Sequence, residues 1–170
     1  QQHGFEAKQK AAACARSDWD FLMADAATAP VGSHGVMFLP HLSGAGCPDA
    51  DPQSLGAWVG LSGFATKGDM IRALIEGLDY QFLDITRTMQ GLGVAFDRLV
   101  VVGGAARNEF WMRNKADMVG LPLEVPEVED ATPLGAAMLA GIGVGIYRDA
   151  QDAYERVRKP GKVYQPDLDA

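Results

Sequence analysis

Two adjacent glycines, Gly103 and Gly104, are the residues in this sequence best suited to bind a ligand. They follow the apolar, β-branched run Leu99–Val102, which is typical of a buried strand. Because glycine has no Cβ, a ligand can approach the backbone closely at this point. A helix is expected to start at Asn108, and its first turn offers free N–H groups and the positive end of a helix dipole. The pattern therefore predicts a nucleotide-binding turn.

The elements around this turn form a strand–turn–helix–strand unit. Asn108 is a suitable N-cap, and Gly120 followed by Pro122 marks the end of the helix. Leu123–Val125 has the pattern of a second short strand. In βαβ-like units of this kind, ligands bind beyond the carboxyl ends of the strands. We therefore predict an α/β arrangement with the ligand at the turn.

The part of the chain before this unit contains helix and strand patterns of its own. Thr66 and Asp69 have the spacing of a capping box at the start of a long helix. The apolar residues of that helix recur at helical spacing, which predicts a stripe that faces the core. The stripe comprises Met70, Ile71, Leu74, Ile75, Leu78, Phe82, Ile85 and Met89. The predicted elements are helices over Phe5–Arg16, Trp19–Ala27 and Lys67–Met89 and strands over Gly35–Pro40 and Gly56–Gly63.

The part after the unit is predicted to be helical and then irregular. Thr132 is expected to cap a helix that has Pro133 at its first position. That helix, Leu134–Ile142, is rich in glycine and alanine, which suits either tight packing or contact with a flat ligand, and both interpretations stay open. Asp149–Val157 is amphipathic, and Lys159–Ala170 is a polar, proline-containing tail.

The composition is that of a globular domain and argues against several functions. The 170 residues are 48% hydrophobic and 22% charged, so the chain is not of the disordered class. A formal net charge of -7 argues against binding to nucleic acid or to a membrane surface. No apolar run reaches the roughly 18 residues of a membrane span. Cys14 and Cys47 share no repeated spacing, so we expect two free thiols in a reducing cytoplasm.

No residue is assigned a catalytic or metal-binding role. His3, His34 and His41 lack the spacing of a metal site, and His34 and His41 are expected on the surface or in loops. Asp49 and Asp51 could form an acid/base or metal-binding pair. The prolines beside them favour the alternative, in which both acids form turns.

A dinucleotide-binding interpretation of the glycine turn is weak. Glu124 or Glu127 lies about 20 residues beyond the glycines, where a ribose-binding acid would fall. The required GxGxxG pattern is absent, however, since Ala105 and Asn108 occupy the places of its second and third glycines. No Walker loop, GxxxxGK[ST], is present either.

Two long segments together resemble one protein family. Arg98–Tyr147 contains VVGGAARNEFWMRNKADMVGLPLEVPEVEDATPLGAAMLAGIGVGIY, and Gly35–Gly63 is GVMFLPHLSGAGCPDADPQSLGAWVGLSG. These segments resemble the FGGY carbohydrate kinases, which include xylulokinase, and the resemblance extends from Gly32 to the region of Asp167. It implies the actin-like ATPase (ribonuclease H-like) fold. Residues 1–170 would form part of the C-terminal domain, with a mixed sheet flanked by helices.

The resemblance also implies an activity and its partners. The enzyme would be a cytoplasmic, xylulokinase-like carbohydrate kinase that moves the γ-phosphoryl group of ATP to a sugar hydroxyl. Its partners would be ATP or ADP, Mg²⁺ held through the nucleotide phosphates, and a sugar or polyol bound through an N-terminal domain; a homodimer is compatible with this. The family's catalytic aspartate, phosphate-binding Gly-Thr turn and most sugar contacts match no residue here. We therefore expect about the last third of such an enzyme, inactive on its own.

Four residues of the turn match the family's nucleotide-binding segment. By resemblance, Gly104 would lie against the adenosine part of the nucleotide, and Asn108 would form a hydrogen bond with the base or its surroundings. Gly103 and Ala105 would shape the turn. A neutral turn of this kind suits an adenosine slot as well as a phosphate cradle.

Two other classes of protein remain as alternatives. The first is a non-catalytic actin-like module that binds adenine nucleotide, and the second is a Rossmann-type oxidoreductase domain. A preference for NADH over ADP would identify the second.

Overall fold

The computed structural model describes residues 18–128 and 130–169. These residues belong to two compact units, the first reaching to Ala95 and including Asp169, the second comprising Phe96–Leu168. The predicted helix Phe5–Arg16, together with His3 and Cys14, lies outside the described residues.

The first unit contains two helices and a two-stranded antiparallel sheet. The helices are α1 (Asp18–Ala27) and α2 (Lys67–Gly91), and the strands are β1 (Met37–Leu39) and β2 (Ala57–Val59). A short 3-10 turn, Ser33–Gly35, leads into β1. All four elements were predicted, and the strands are shorter than their sequence patterns.

The start of α2 confirms the predicted capping box. The N–H of Asp69 donates to Oγ1 of Thr66 at 3.1 Å, and the N–H of Thr66 donates to Oδ2 of Asp69 at 2.8 Å. Each side chain thus satisfies a backbone donor that the helix leaves unpaired. The helix continues through Gly91, two residues beyond the predicted end.

The predicted apolar stripe of α2 is buried in part. Ile75 is its one fully buried member, most of the others are half-buried, and Met89 is 41% exposed. Three carboxyl groups of the same helix, those of Asp69, Glu76 and Asp79, are buried as well. Asp69 and Glu76 contact a neighbouring turn that is rich in hydrogen-bond donors, described below.

The second unit is built on a three-stranded mixed sheet. Its strands are β3 (Leu99–Val100), β4 (Leu123–Val125) and β5 (Lys162–Tyr164), in the order β3-β4-β5. Leu99 pairs with Leu123 in the parallel ladder, and Leu123 pairs with Tyr164 in the antiparallel one. The strand β5 lies inside the segment predicted to be a polar tail, and the buried side chain of Tyr164 anchors it to the core.

Three helices accompany this sheet: α3 (Glu109–Val119), α4 (Ala131–Gly143) and α5 (Ala150–Val157). The core of the unit comprises Ala106, Met112, Ala116, Leu123 and Tyr164. The end of α3 at Gly120, which has a left-handed backbone with φ of 71°, confirms the predicted stop. The predicted α/β arrangement, a mixed sheet accompanied by helices, is confirmed.

The N-cap of α4 differs from the prediction. Asp130, and not Thr132, caps this helix, since the N–H of Thr132 donates to Oδ1 of Asp130 at 3.1 Å. Thr132 and Pro133 lie within the first turn instead. Of the two interpretations of the small residues, tight packing holds at Gly141, where an added Cβ would lie 2.6 Å from the ring of Tyr147.

Among the described residues, no helix is both long enough and apolar enough to cross a bilayer.

Candidate nucleotide-binding turn

The backbone of the glycine turn requires glycine at its first position. Gly103 has φ of 98° and ψ of −177°, a conformation that side chains with a Cβ rarely adopt. It precedes a 3-10 turn, Gly104–Arg107. The N–H of Ala106 donates to the carbonyl of Gly103 at 3.1 Å, and the N–H of Asn108 donates to that of Ala105 at 3.0 Å. The carbonyls of Gly103 and Ala105 thus hold the turn closed.

One side of the turn is anchored and another is open. Ala106 is 7% exposed and belongs to the core. Gly103, Gly104 and Ala105 are exposed, and a Cβ added to either glycine would meet no described atom within 4 Å. Internal packing therefore does not explain the missing side chain at Gly104. The open backbone leaves room for a flat group to lie against it.

Asn108 caps the helix α3 and keeps a donor free. The N–H of Trp111 donates to Oδ1 of Asn108 at 2.9 Å, which confirms the predicted N-cap. This bond fixes the orientation of the side-chain amide, so that Nδ2 is the remaining polar atom. Within the described parts of the chain, Nδ2 has no hydrogen-bond partner. A donor beside an open backbone surface suits the acceptor nitrogens of a nucleotide base.

The first residue of α3 carries a negative charge. Nζ of Lys162 lies 2.8 Å from Oε1 of Glu109, and Nη2 of Arg113 lies 3.1 Å from the same atom. The hydrogen bond from Lys162, followed by that from Arg113, lowers the pKa of the Glu109 carboxyl. An ionised carboxylate at a helix start competes with any other anion for that end of the helix dipole. Lys162 and Arg113 both pair with this carboxylate, so the first turn of α3 carries no uncompensated negative charge.

A second loop leaves the same edge of the sheet. Because β3 and β4 are parallel, the residues after Val100 and the residues after Val125 both follow carboxyl ends of strands. The loop after β4 leads to Asp130 and the start of α4.

Glu124 is not available as a ribose-binding acid. Nη2 of Arg158 donates to its two carboxylate oxygens at 2.9 and 3.1 Å, and Glu124 is 6% exposed. This ion pair argues against the dinucleotide-binding interpretation.

The loop of the first unit that contains Asp49 and Asp51 forms turns. The N–H of Gln53 donates to Oδ1 of Asp51 at 2.9 Å, as in an Asx turn, and Ala45 and Asp51 form a backbone bridge. Asp49 lines a cavity of about 380 Å³ together with residues that include His41 and Cys47. In the part of the chain that the structure describes, no three His, Cys, Asp or Glu residues come together as a metal site would need.

Sequence reasoning missed a buried polar cluster around Glu76. The N–H of Gly32 donates to Oε1 of Glu76 at 3.1 Å, and the hydroxyl of Ser33 donates to Oε2 at 2.9 Å. Nε of Arg72 donates to Oε1 at 2.8 Å and its Nη1 to the carbonyl of Ala29 at 2.7 Å. The signal was present in the spacing, since Asp69, Arg72 and Glu76 are three and four residues apart on one helical face.

His34 is exposed on the surface, as predicted, and its ring contacts the same region. Nδ1 of His34 lies 2.8 Å from Oδ1 of Asp69. The hydrogen bonds from the side chain and backbone of Thr66, with a smaller one from His34, lower the pKa of Asp69 to about 2.

Comparisons with known proteins identify the family. Residues 1–144 match the model of the FGGY family of carbohydrate kinases, C-terminal domain. Glycerol kinase 1 of Clostridium tetani is 41% identical over 143 residues, which cover 84% of this chain and 28% of that protein. A ligand-bound xylulose kinase from Lactobacillus acidophilus has a TM-score of 0.79 and 27% identity over 89% of this chain and 31% of its own. A Plasmodium falciparum glycerol kinase with ADP has a TM-score of 0.73 and 25% identity over 88% and 30%.

The chain thus spans less than a third of the length of each of these proteins. The solved FGGY kinases have the actin-like ATPase fold, so the predicted fold class is confirmed. The family match includes the turn from Gly103 to Asn108 and most of both units. The chain belongs to the FGGY family of carbohydrate kinases.

Proposed function

We infer that this chain supplies the adenine-nucleotide-binding part of an ATP-dependent carbohydrate kinase. The observation that carries this proposal is the open turn from Gly103 to Asn108, whose exposed backbone and free amide donor lie beyond the carboxyl end of β3. Membership of a kinase family supports it. A relative of similar fold was solved with ADP.

In this proposal the adenosine group lies against Gly104. The Nδ2 group of Asn108 donates to the base or to its surroundings, while Gly103 and Ala105 keep the turn in shape. The segment Gly103–Ala105 carries no charged side chain, which suits an adenosine group here, and we propose that the phosphates are held elsewhere.

The rest of the phosphoryl transfer is assigned to other parts of the enzyme. The reaction needs a base that orients the sugar hydroxyl, Mg²⁺ on the phosphates, and closure that excludes water. No residue of this chain matches the family's catalytic aspartate, so we propose that the chain alone does not turn over. A sugar-binding N-terminal domain would close on it by a hinge motion.

The substrate in this proposal is a sugar or polyol of the xylulose type. The similar proteins are named as glycerol kinase and xylulose kinase, which agrees with a polyol or ketose hydroxyl as the phosphoryl acceptor. Cytoplasmic localisation and a homodimer stay predictions. The two alternatives, a non-catalytic actin-like module and a Rossmann-type oxidoreductase, have no observation in their favour.

The test is a titration of the 170-residue chain with ADP, followed by amide NMR, with NADH as a second ligand. We expect shifts confined to Gly103–Asn108 and to Thr132–Ala137 at the start of α4, even at millimolar affinity. Asn108→Asp is the informative variant, because aspartate keeps the N-cap oxygen but replaces the Nδ2 donor by an anion. It is expected to weaken ADP binding about tenfold, the effect of losing one hydrogen bond to a ligand.

Two results would contradict the proposal. Shifts with NADH but not with ADP would support the oxidoreductase interpretation. The absence of any shift in a chain with a dispersed, folded spectrum would show that this turn does not bind adenine nucleotide in the chain as it stands.

A further inference from the structure

Arg107 lies on the same side of the turn as Gly104. In a 3-10 helix, residues three apart are stacked one above the other. Gly104 and Arg107 are the first and last residues of the turn Gly104–Arg107. Ala106 is directed to the core, so the Gly104–Arg107 side is a different and exposed side.

Among the described residues of the second unit, none pairs with the guanidinium of Arg107. It makes no hydrogen bond, ion pair or ring contact with another described residue. Other arginines of the same unit do make such contacts, as Arg113 does with Glu109 and Arg158 with Glu124. An exposed arginine without such a contact, beside a backbone surface that is open for a ligand, is placed to contact that ligand.

We propose that Arg107 forms the second wall of the adenosine slot, with its guanidinium stacked on the face of the purine that lies against Gly104. This inference rests on the proposed function and adds a residue that the family resemblance did not supply. A planar guanidinium stacks flat on an aromatic face, whereas the ammonium of lysine is a compact point charge with no flat surface. A side chain that starts one turn above Gly104 extends alongside a flat group on that glycine.

The test measures binding of ADP and of adenosine to Arg107→Ala by amide NMR titration of the 170-residue chain. Stacking predicts that both ligands bind about tenfold more weakly, because the base is common to them. Arg107→Lys is expected to restore little of this loss. The matched control is Arg98→Ala, which removes an exposed arginine at the opposite end of β3 and should leave both affinities within about twofold.

Each other outcome overturns the inference in a recognisable way. A loss for ADP alone, restored by Arg107→Lys, would make Arg107 a phosphate contact. Unchanged affinities in Arg107→Ala, with the parent chain still showing ADP shifts at the turn, would remove Arg107 from the site and leave the proposed function intact. No ADP binding by the folded parent chain would overturn the proposed function, and this inference with it.

Discussion

Two glycine-containing turns of this molecule differ in what their polar groups contact. In the first unit, Gly32, Ser33, His34 and Gly35 all have positive φ, at 76°, 50°, 50° and 84°. The N–H of Gly32 and the hydroxyl of Ser33 both donate to Glu76, a carboxylate buried on α2. In the second unit, the turn after β3 closes on its own backbone and leaves its outer side open.

The comparison shows that glycines and unusual backbone angles do not by themselves identify a binding site. The Gly32–Gly35 turn is the more strained of the two, since Ser33 and His34 carry a Cβ at positive φ. Carboxylates of the same unit nevertheless accept hydrogen bonds from its donors, so the Gly32–Gly35 turn has a structural role, and we call it the scaffold turn. The turn from Gly103 to Asn108 has a donor and a backbone surface that no described residue of its own unit contacts, which is the property expected of a binding site.

Breaking the scaffold turn should have the largest effect. Glu76→Ala leaves the buried donors of Arg72, Gly32 and Ser33 without an acceptor. Losing one partner of a buried ion pair costs about 3–5 kcal/mol, so urea unfolding of the first unit should shift by that much. Asp84→Ala, which removes an exposed carboxylate from the same helix, is the control and should change the unfolding free energy by less than about 0.5 kcal/mol. An equal, small effect of both variants would show that the Glu76 network is not what holds the turn.

The two adjacent glycines of the second turn should separate stability from binding. Gly103→Ala places a Cβ at φ of 98° and should destabilise the second unit by about 1–3 kcal/mol. Gly104 has no positive φ, and its Cβ direction is open space, so Gly104→Ala should leave the melting temperature unchanged. It should still weaken ADP binding several-fold, because the new methyl group occupies the surface that the adenosine would contact. Full ADP affinity in Gly104→Ala would show that the ligand does not lie against this glycine.

The sequence predicted those features that depend on neighbouring residues. The Thr66–Asp69 capping box, the Asn108 cap and the Gly120 stop each span four residues or fewer, and all three are present. The candidate site was found for the same reason, since its strand, glycines and cap are consecutive.

What the sequence did not predict depends on distant partners. The strand β5 forms because Tyr164 pairs with Leu123, forty-one positions earlier, and its own segment carries no strand pattern. The buried carboxylate of Glu76 is stable because its donors come from Gly32 and Ser33, forty-four and forty-three positions away. Apolar spacing alone therefore did not predict that carboxyl groups are buried on α2 as well.

The smallest expected effect is the acid sensitivity of the start of α2, which contacts the scaffold turn through His34. The pKa of Asp69 is lowered from 3.8 to about 2 in the folded chain, so the ionised form is the one that folding favours. This contribution is complete above pH 3.8, and it is lost as the pH falls through about 2. The hydrogen bonds from Thr66 are the largest cause, ahead of His34. Thr66→Ala should therefore raise the pKa of Asp69, measured by carboxyl ¹³C NMR, by more than His34→Ala does. The reverse order would mean that the exposed imidazole, rather than the capping box, holds this carboxylate ionised. In that case a solvent-exposed side chain, and not the capping box, would hold the charge beside the Gly32–Gly35 turn. The two turns would then differ less in how far they depend on exposed groups.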